Sequence, residues 1–411
     1  SRLAFRRARA KSPVHDNLMV KDKSDSLWTR TFLLLCAAQF LGYAQHFMLA
    51  PVLPLFVTQL GGSPFIVGAV LACFAATSVM VRPLVGHWAD RWSEAGVMIA
   101  GLLFQAASIF LCFIPVIPAA ALANGLRGIG WAGLNTGGYS LLALISPETK
   151  RGAASGLYSG VQSSAQILFP PVALWLLYAS FGGYAVVFGV TALFCLAGAA
   201  TGFMMAPTPA AARSRPTADA SRWWREIFHF IEPEILLPSI LLFWLNLSLP
   251  ALTNFIILYA QELGIEPFGA YFVVVGATSM LGRPLLGRLS DRIGRPRAVA
   301  AGFSFQVLAL LAITVVSNLV GVIICGSLYM LGNAIGSSTT LALAVERANP
   351  QRRGKQMATF SVAYPLSYGV GSMIIGSAVQ AAGYGGMFFM MAAIQVVGLI
   401  FAMLKAADLR R

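Results

Sequence analysis

The chain has 411 residues, of which 57% are hydrophobic and 11% are charged, and its formal net charge at pH 7 is +14. So few charged residues leave too little polar surface for a soluble protein of this length, which excludes an ordinary soluble domain. The basic residues lie in short segments beside long apolar ones, where they would face anionic lipid head groups. Membrane lipids, and no nucleic acid, are therefore the expected contacts.

Long apolar segments follow one another along most of the chain. About 20 apolar residues cross the hydrocarbon core of a bilayer as a helix, and twelve segments of that size can be drawn. They lie at about 31–58, 65–88, 95–115, 118–144, 153–179, 184–206, 235–260, 268–289, 298–316, 319–345, 355–380 and 385–405. The expected fold class is an all-α membrane protein with twelve transmembrane helices.

A hydrophilic stretch at 207–234 divides these segments into six and six. Its first part is rich in proline, alanine and serine, as linkers are. We expect a six-helix bundle at 31–206, a second at 235–405, and tails at 1–30 and 406–411. The basic N-terminal tail lacks the apolar core and small-residue cleavage site of a signal peptide, so the first span is expected to remain as a true helix.

The basic residues alternate from one connection to the next. Nearly all 29 lie in the tails and in every second connection. The other connections carry no Lys or Arg, and they lie near Leu60, Val116, Phe181, Gly264, Asn318 and Gly383. Since positive charge is retained on the cytoplasmic side, both termini and the linker are expected in the cytoplasm, with the protein in a bacterial inner membrane.

The two halves repeat each other. The run Arg82-Pro83-Leu84-x-Gly86-x-x-x-Asp90-Arg91 returns with identical spacing as Arg283-Pro284-Leu285-x-Gly287-x-x-x-Asp291-Arg292. A second echo joins 60–65 to 263–268, and a third joins 147–152 to 350–354. Matches at corresponding loops of two six-span halves indicate an internal duplication.

The runs at 287–297 and 86–91 resemble the signature loop of the major facilitator superfamily, which follows the second and eighth helices. The resemblance covers about residues 30 to 405. It implies two pseudo-symmetric six-helix bundles related by an axis along the membrane normal, with one solute site between them that is exposed alternately to each side. The first copy departs from the pattern, because Trp92 and Ser93 stand where the family has a glycine and a basic cluster.

The duplicated loops supply candidate gating residues. Glycine lets another helix approach closely, aspartate can accept backbone N–H bonds at a helix N-terminus, and arginine seeks a carboxylate. The expected gating residues are Gly86, Asp90, Arg91, Glu148, Gly287, Asp291, Arg292, Glu346, Arg82 and Arg283. An alternative stays open, in which these charges only anchor tight loops in the membrane interface.

Two ionisable residues lie inside predicted spans, where such groups are costly and so often functional. Arg127 lies in Leu126–Gly133 of the fourth span, which resembles the Arg-and-glycine motif of proton-coupled family members. His46 lies in the first span at about the same depth. The resemblance implies that both helices line the central cavity, so the two side chains are expected to meet there. A structural charge bonded to carbonyls and a hydrogen-bonded core histidine remain alternatives.

Other polar residues of the spans could line the same cavity or join helices to one another. These candidates for substrate or coupling contacts are Gln39, Gln45, Asn135, Gln162, Gln166, Asn246, Asn254, Asn333, Tyr364 and Tyr368.

The charge inside the spans predicts the solute. All fifteen acidic residues can be placed in tails, loops or span ends. Because a cation exporter generally needs a buried carboxylate, the positive cavity favours an anionic or zwitterionic solute, such as a carboxylate-bearing metabolite, metallophore or drug. If protons are coupled, His46 is the candidate group, since a histidine ordinarily titrates near physiological pH.

Export is the favoured direction. Exporters of the family often carry a Gly-Pro-rich fifth-helix motif, which Gly156, Gly160 and Pro170-Pro171 match in part. An importer or facilitator of a carboxylate metabolite is the alternative, and a non-transporting receptor is a more distant one.

No nucleophile, metal cluster or phosphate loop supports an enzyme, so we expect no cofactor and no metal, and a monomeric protein. The cysteines lie in apolar segments without metal spacing and are interpreted as reduced packing residues. They are Cys36, Cys73, Cys112, Cys195 and Cys325.

Overall fold

A computed structural model describes residues 27–147, 150–205, 232–266, 268–349 and 353–410. The predicted N-terminal tail up to residue 26, most of the linker 207–234, and Glu148 lie outside the described residues. The side-chain surroundings of Asp90, Arg91, Gly287 and Asp291 are likewise not described.

The regular structure of the described residues is helical. The first half contains α1 (Arg30–Gln59), α2 (Pro64–Arg91), α3 (Glu94–Ile109), α4 (Ile117–Ile145), α5 (Arg151–Tyr178) and α6 (Tyr184–Phe203). The second half contains α7 (Pro233–Glu262), α8 (Gly269–Ile293), α9 (Arg295–Ala312) and α10 (Leu319–Arg347), then a run Arg353–Leu404 that is broken at Gly383 into α11 (353–382) and α12 (384–404). Each helix begins and ends within about four residues of its predicted span, except that α3 ends six residues early and is followed by a 3-10 turn at Phe110–Phe113.

Eight helical stretches in the described residues are long and apolar enough to cross a membrane, the joined run of α11 and α12 counting as one of them. Helices α4, α5 and α8 have comparable lengths of 29, 28 and 25 residues. Glycines and polar residues interrupt their apolar sequences, and the polar side chains must in a membrane face other helices or a cavity.

Local sequence explains where the helices begin and end. Side-chain oxygens cap several helix starts; Ser63, Ser93 and Asn318, for example, each accept a hydrogen bond from the backbone N–H three residues later. The turns after α1 and α7 contain Gly61 and Gly264, whose φ angles are 81° and 66°. Only glycine adopts this left-handed conformation without strain, which accounts for their recurrence at equivalent points of the two halves.

Glycines also set how closely the helices pack. A Cβ at Gly101 of α3 would lie 2.6 Å from the carbonyl oxygen of Gly130 in α4, and a Cβ at Gly302 of α9 would lie 2.9 Å from that of Gly332 in α10. Lipid provides no hydrophobic force between helices, so close backbone contact is a main source of attraction. The same device thus recurs in both halves.

The two ends of the bundle differ in charge. We call the end where α1 begins and α2 ends the basic end, and the other the opposite end. The residues that mark the basic end are Arg30, Lys150, Arg292, Arg295 and Arg347.

The halves meet through α2 with α11 and α5 with α8. The tightest of these contacts lie near the opposite end, where a Cβ at Gly68 would be 2.3 Å from the carbonyl oxygen of Ser372 and a Cβ at Gly376 would be 2.4 Å from that of Pro64. Near the basic end, a Cβ at Gly86 would meet nothing within 4 Å. The close approach expected at Gly86 is therefore not present, because the halves are packed at the opposite end and leave space at Gly86.

We expect Gly376→Val to lower the apparent melting temperature of the purified protein. The new side chain would meet backbone atoms, which cannot rotate away, and overpacking of this kind costs about 1–3 kcal/mol. Gly189→Val is the matched control, because a Cβ there meets nothing within 4 Å. An equal loss in both variants would contradict the tight contact between α2 and α11.

Candidate functional site

A cavity of about 360 Å³ lies between the two halves. Helices α1, α4 and α5 line it from the first half, and α7, α8, α10 and α11 line it from the second. Its wall reaches Leu341 of α10 and Phe360 of α11, both within about two helical turns of the basic end. The cavity therefore occupies the middle of the bundle, and its wall also includes Tyr271 and Phe272 at the start of α8, toward the opposite end.

Aromatic rings form much of the wall. The imidazole of His46 stacks on Trp131 with ring centroids 4.4 Å apart, and the ring of Tyr43 lies 4.5 Å from Trp131. Tyr364 and Tyr368 add a second aromatic pair from α11, with centroids 6.2 Å apart. A flat apolar body would find favourable surface here.

Polar groups are placed between these rings. Side-chain amides and hydroxyls are contributed by Gln162, Ser163, Gln166, Asn246, Ser279, Asn333, Ser337 and Ser338. None of the residues that line the cavity, all of which are described, is acidic, whereas Arg283 is permanently basic and exposed to it. The cavity is thus amphipathic with a positive bias.

The predicted polar residues divide into two groups. Those that line the cavity are His46, Gln162, Gln166, Asn246, Asn333, Tyr364 and Tyr368. Gln39, Gln45 and Asn135 are instead buried between helices of the first half. Asn135 shows the second role clearly, since it accepts from the Tyr43 hydroxyl at 2.8 Å and donates to the carbonyl of Trp131 at 3.0 Å.

A smaller pocket of about 20 Å³ lies beside the main cavity. It brings together Arg127, His46, Asn254 and Tyr368, of which His46 and Tyr368 also line the main cavity. His46 and Arg127 therefore share the smaller pocket, whereas Arg127 does not line the main cavity, where the sequence predicts that the two side chains meet. The ring of Phe74 lies close to both, 5.3 Å from the His46 ring and 5.5 Å from the Arg127 guanidinium.

Close packing of α2 on α4 fixes the position of Arg127. A Cβ at Gly128 would lie 2.2 Å from the carbonyl oxygen of Phe74, and the Thr77 hydroxyl donates to the carbonyl of Gly125 at 2.6 Å. With no side chain at residues 125 and 128, the backbones approach, and the guanidinium is enclosed with only 3% of Arg127 exposed.

The neighbours of Arg127 are neutral. Its Nη1 donates to Oδ1 of Asn124 at 2.5 Å and its Nη2 donates to Oε1 of Gln45 at 3.4 Å. Its Nε has no hydrogen-bond partner, and no carboxylate contacts it, among the described residues. A buried cation without a counter-ion is strongly unfavourable, so an anionic group bound beside this guanidinium would reduce that cost.

The described gating candidates have partners that the sequence did not reveal. Arg82 donates from Nη1 to the carbonyl and the hydroxyl of Ser361, at 3.1 and 2.8 Å, and so links α2 to α11. Glu346 pairs with Arg295 of α9. Arg292 is exposed. A loop arginine such as Arg292 is the expected partner of Glu346, but the partner is Arg295, which lies just past the repeated run.

Sequence reasoning also missed Trp131, Thr253 and the Ser337-Ser338 pair. An aromatic or hydroxyl residue inside an apolar span can face lipid, another helix or a cavity. No local pattern distinguishes these cases, so these residues gave no signal that could have found them.

We expect Asn124→Leu to destabilise the protein more than Gln45→Leu. Asn124→Leu removes the 2.5 Å hydrogen bond from Arg127 and the 2.7 Å hydrogen bond to the carbonyl of Val70. Gln45→Leu removes only the 3.4 Å hydrogen bond from Arg127. A hydrogen bond to a charged group contributes about 1.5–3 kcal/mol. Apparent melting temperatures of the two variants measure the difference, and a larger loss in Gln45→Leu would contradict this geometry.

Comparisons with known proteins agree with this architecture. The sequence matches the family model described as Major Facilitator Superfamily at residues 35–336 and 268–410. It is similar to Multidrug resistance protein 1 of Bacillus subtilis, with 30% identity over 143 residues that cover 34% of this chain and 37% of that protein. It is also similar to the multi-drug resistance efflux pump PmrA of Streptococcus pneumoniae, with 25% identity over 297 residues that cover 68% of this chain and 72% of that one.

The matched part of the chain thus spans little more than a third of the first relative. Among solved structures, the fold is similar to that of a bacterial homologue of the human lysosomal transporter Spinster in an inward-facing and unoccupied conformation. The TM-score is 0.80 at 14% identity, and the match covers 93% of this chain and 98% of that one.

Proposed function

The chain belongs to the Major Facilitator Superfamily, and on that premise we propose that it is a secondary transporter that exports a small organic anion or zwitterion by alternating access. Family membership and the apolar helices support an integral membrane protein that carries small solutes rather than an enzyme. A bacterial inner membrane with both termini in the cytoplasm is part of the proposal, as is a monomeric state.

The observation that carries the substrate class is the uncompensated guanidinium of Arg127. The pocket beside it, about 20 Å³, has room for little more than one charged end group. His46 and Tyr368 line both this pocket and the larger cavity. A carboxylate in the small pocket would pair with Arg127, while the apolar body of the solute would lie against the aromatic rings in the main cavity.

Alternating access is supported by the unequal ends of the bundle. The halves are packed at Gly68 and Gly376 near the opposite end, while space remains at Gly86 near the basic end. If the basic end faces the cytoplasm, the cavity is poised to receive a solute from that side. The duplicated Asp-Arg loops would close the basic end in the other state of the cycle.

Export rather than uptake is supported by the relatives, two of which are named as multidrug proteins or efflux pumps. His46 is the group that would bind the coupled proton, because its Nδ1 has no hydrogen-bond partner among the described residues and its ring shares a pocket with Arg127. Protonation there would add positive charge beside Arg127 and strengthen anion binding, which would couple movement of the solute to that of protons.

Topology can be tested by cysteine labelling. Ser180 lies exposed at the opposite end and Ala407 lies exposed at the basic end. In a cysteine-free background, an impermeant maleimide should label Ser180→Cys in intact cells, and Ala407→Cys only after permeabilisation. Labelling of both positions from one side would overturn the proposed orientation.

Substrate charge can be tested with carboxylates that are each paired with the neutral amide of the same body. Carboxylates that bind should raise the apparent melting temperature by mass action, and their amides should not. In counterflow with the best carboxylate, Arg127→Lys should reduce transport at least about tenfold, because lysine lacks the planar fork. Arg297→Lys, an exposed arginine outside the cavity, is the matched control.

One outcome would contradict the proposed charge of the solute. Transport of a permanent cation by the wild-type protein, with Arg127→Ala equally active, would show that the positive pocket does not select the solute.

A further inference from the structure

One polar contact joins the first helices of the two halves beside the small pocket. Nδ2 of Asn254 in α7 donates to the backbone carbonyl of Ala50 in α1 at 3.1 Å. Asn254 has only 2% of its surface exposed. The contact therefore crosses between the halves where water is scarce.

The sequence of α1 explains why this carbonyl needs a donor. In an α-helix the carbonyl of Ala50 would accept from the N–H of residue 54, but Pro54 has no N–H. Helix α1 nevertheless continues through Pro54 to Gln59. A backbone carbonyl without a partner is costly inside a membrane. Asn254 supplies from the second half the donor that Pro54 withholds.

The geometry of α7 directs Asn254 toward that carbonyl. Asn254 lies in a π-helical turn, Ala251–Phe255, that interrupts α7. Such turns shift the register of side chains and are frequent at functional sites. Within the turn, the carbonyl of Leu252 accepts from the Tyr271 hydroxyl at 2.9 Å, so the distortion is braced by α8.

Chemistry fixes the orientation of the amide. A carbonyl can only accept, so Nδ2 must face Ala50 and Oδ1 must face away. Oδ1 accepts from the hydroxyl of Tyr368, and also from that of Thr253 at 2.8 Å. Both hydroxyl residues line the main cavity. The cavity wall thus holds the amide that bridges the halves.

We propose that Asn254 is a positioning residue that keeps the opposite end of the cavity closed by completing the hydrogen bonding of Ala50, and that Thr253 and Tyr368 set the strength of this closure. The inference deepens the alternating-access transport proposed above and rests on it. The carbonyl of Ala50, the amide of Asn254 and the hydroxyls of Thr253 and Tyr368 form one hydrogen-bonded unit. Removing any of these hydrogen bonds should therefore favour opening of the opposite end.

The chain offers a matched control in the same helix. Pro51 leaves the carbonyl of Phe47 without a helical N–H in the same way, but no side chain of the second half donates to that carbonyl among the described hydrogen bonds. Replacing Pro54 with a residue that has an N–H should therefore make the hydrogen bond from Asn254 to Ala50 redundant. The same replacement at Pro51 changes the helix equally and leaves that hydrogen bond intact.

The test is a distance measurement between spin labels in solute-free protein in lipid nanodiscs. Labels at Gln59 and Glu262 report the opposite end, and labels at Arg30 and Pro233 report the basic end; all four positions are exposed. Asn254→Ala and Pro54→Ala should each raise the open-to-closed ratio at the opposite end about three- to tenfold, the effect of one buried hydrogen bond. The basic-end distance should shorten correspondingly.

Three further variants sharpen the test. The double variant Asn254→Ala with Pro54→Ala should open the end no further than the larger single change, because both remove the same interaction. Tyr368→Phe should act in the same direction but less, since Thr253 remains. Pro51→Ala should resemble the wild type.

An unchanged distance distribution in Asn254→Ala would overturn the proposal, as would equal opening in Pro51→Ala and Pro54→Ala. The measurement needs no solute, so its failure leaves the Arg127-dependent transport test unaffected. Loss of anion transport with an intact distance response would contradict the proposed function alone.

Discussion

Lipid offers no hydrogen bonds, so each backbone carbonyl that a helix break releases must find its donor inside the protein. Buried amide side chains fulfil this need repeatedly. Gln395 donates to the carbonyl of Trp244 at 3.1 Å, and Gln306 donates to that of Leu245 at 2.9 Å, both where α7 departs from regular helix. Asn254 does the same for Ala50 across the two halves. The irregular points of α1 and α7 are thus the places where buried amide side chains donate to backbone carbonyls.

The same constraint explains why the two duplicated halves differ in chemistry. In the second half, Asn333 donates to Asn246 at 3.1 Å and to the carbonyl of Leu245 at 3.4 Å, so neutral amides brace the broken helix. In the first half, α4 instead carries Arg127, which neutral groups hold in place. One half thus carries a buried charge that neutral groups hold, and the other carries amides that bond to each other. The cavity between them is therefore asymmetric.

Glycine determines how closely the two halves pack. At Gly68 and Gly376, near the opposite end, backbone lies directly on backbone between α2 and α11. Such contacts are strong when the helices are aligned and are lost together when one half tilts. They would suit a protein whose halves alternate between two packed arrangements.

The sequence determined the helices, the duplication and the sign of the charge near the cavity. These features are local, since an apolar run of about 20 residues forms a membrane helix wherever it lies, and Arg127 and His46 are the ionisable residues in the middle of their spans. The helix starts also followed from local caps such as Ser63 and Asn318.

Only the tertiary structure decided which way each polar residue faces. Gln39 and Gln162 look alike in sequence, yet the first is buried between helices and the second lines the cavity, because the rotation of a helix is set by its neighbours. The partner of Glu346 and the contact of Asn254 with Ala50, 204 residues apart, follow from packing of distant segments. Pro54 shows from sequence that one carbonyl is free, but only the assembled halves show which side chain completes it.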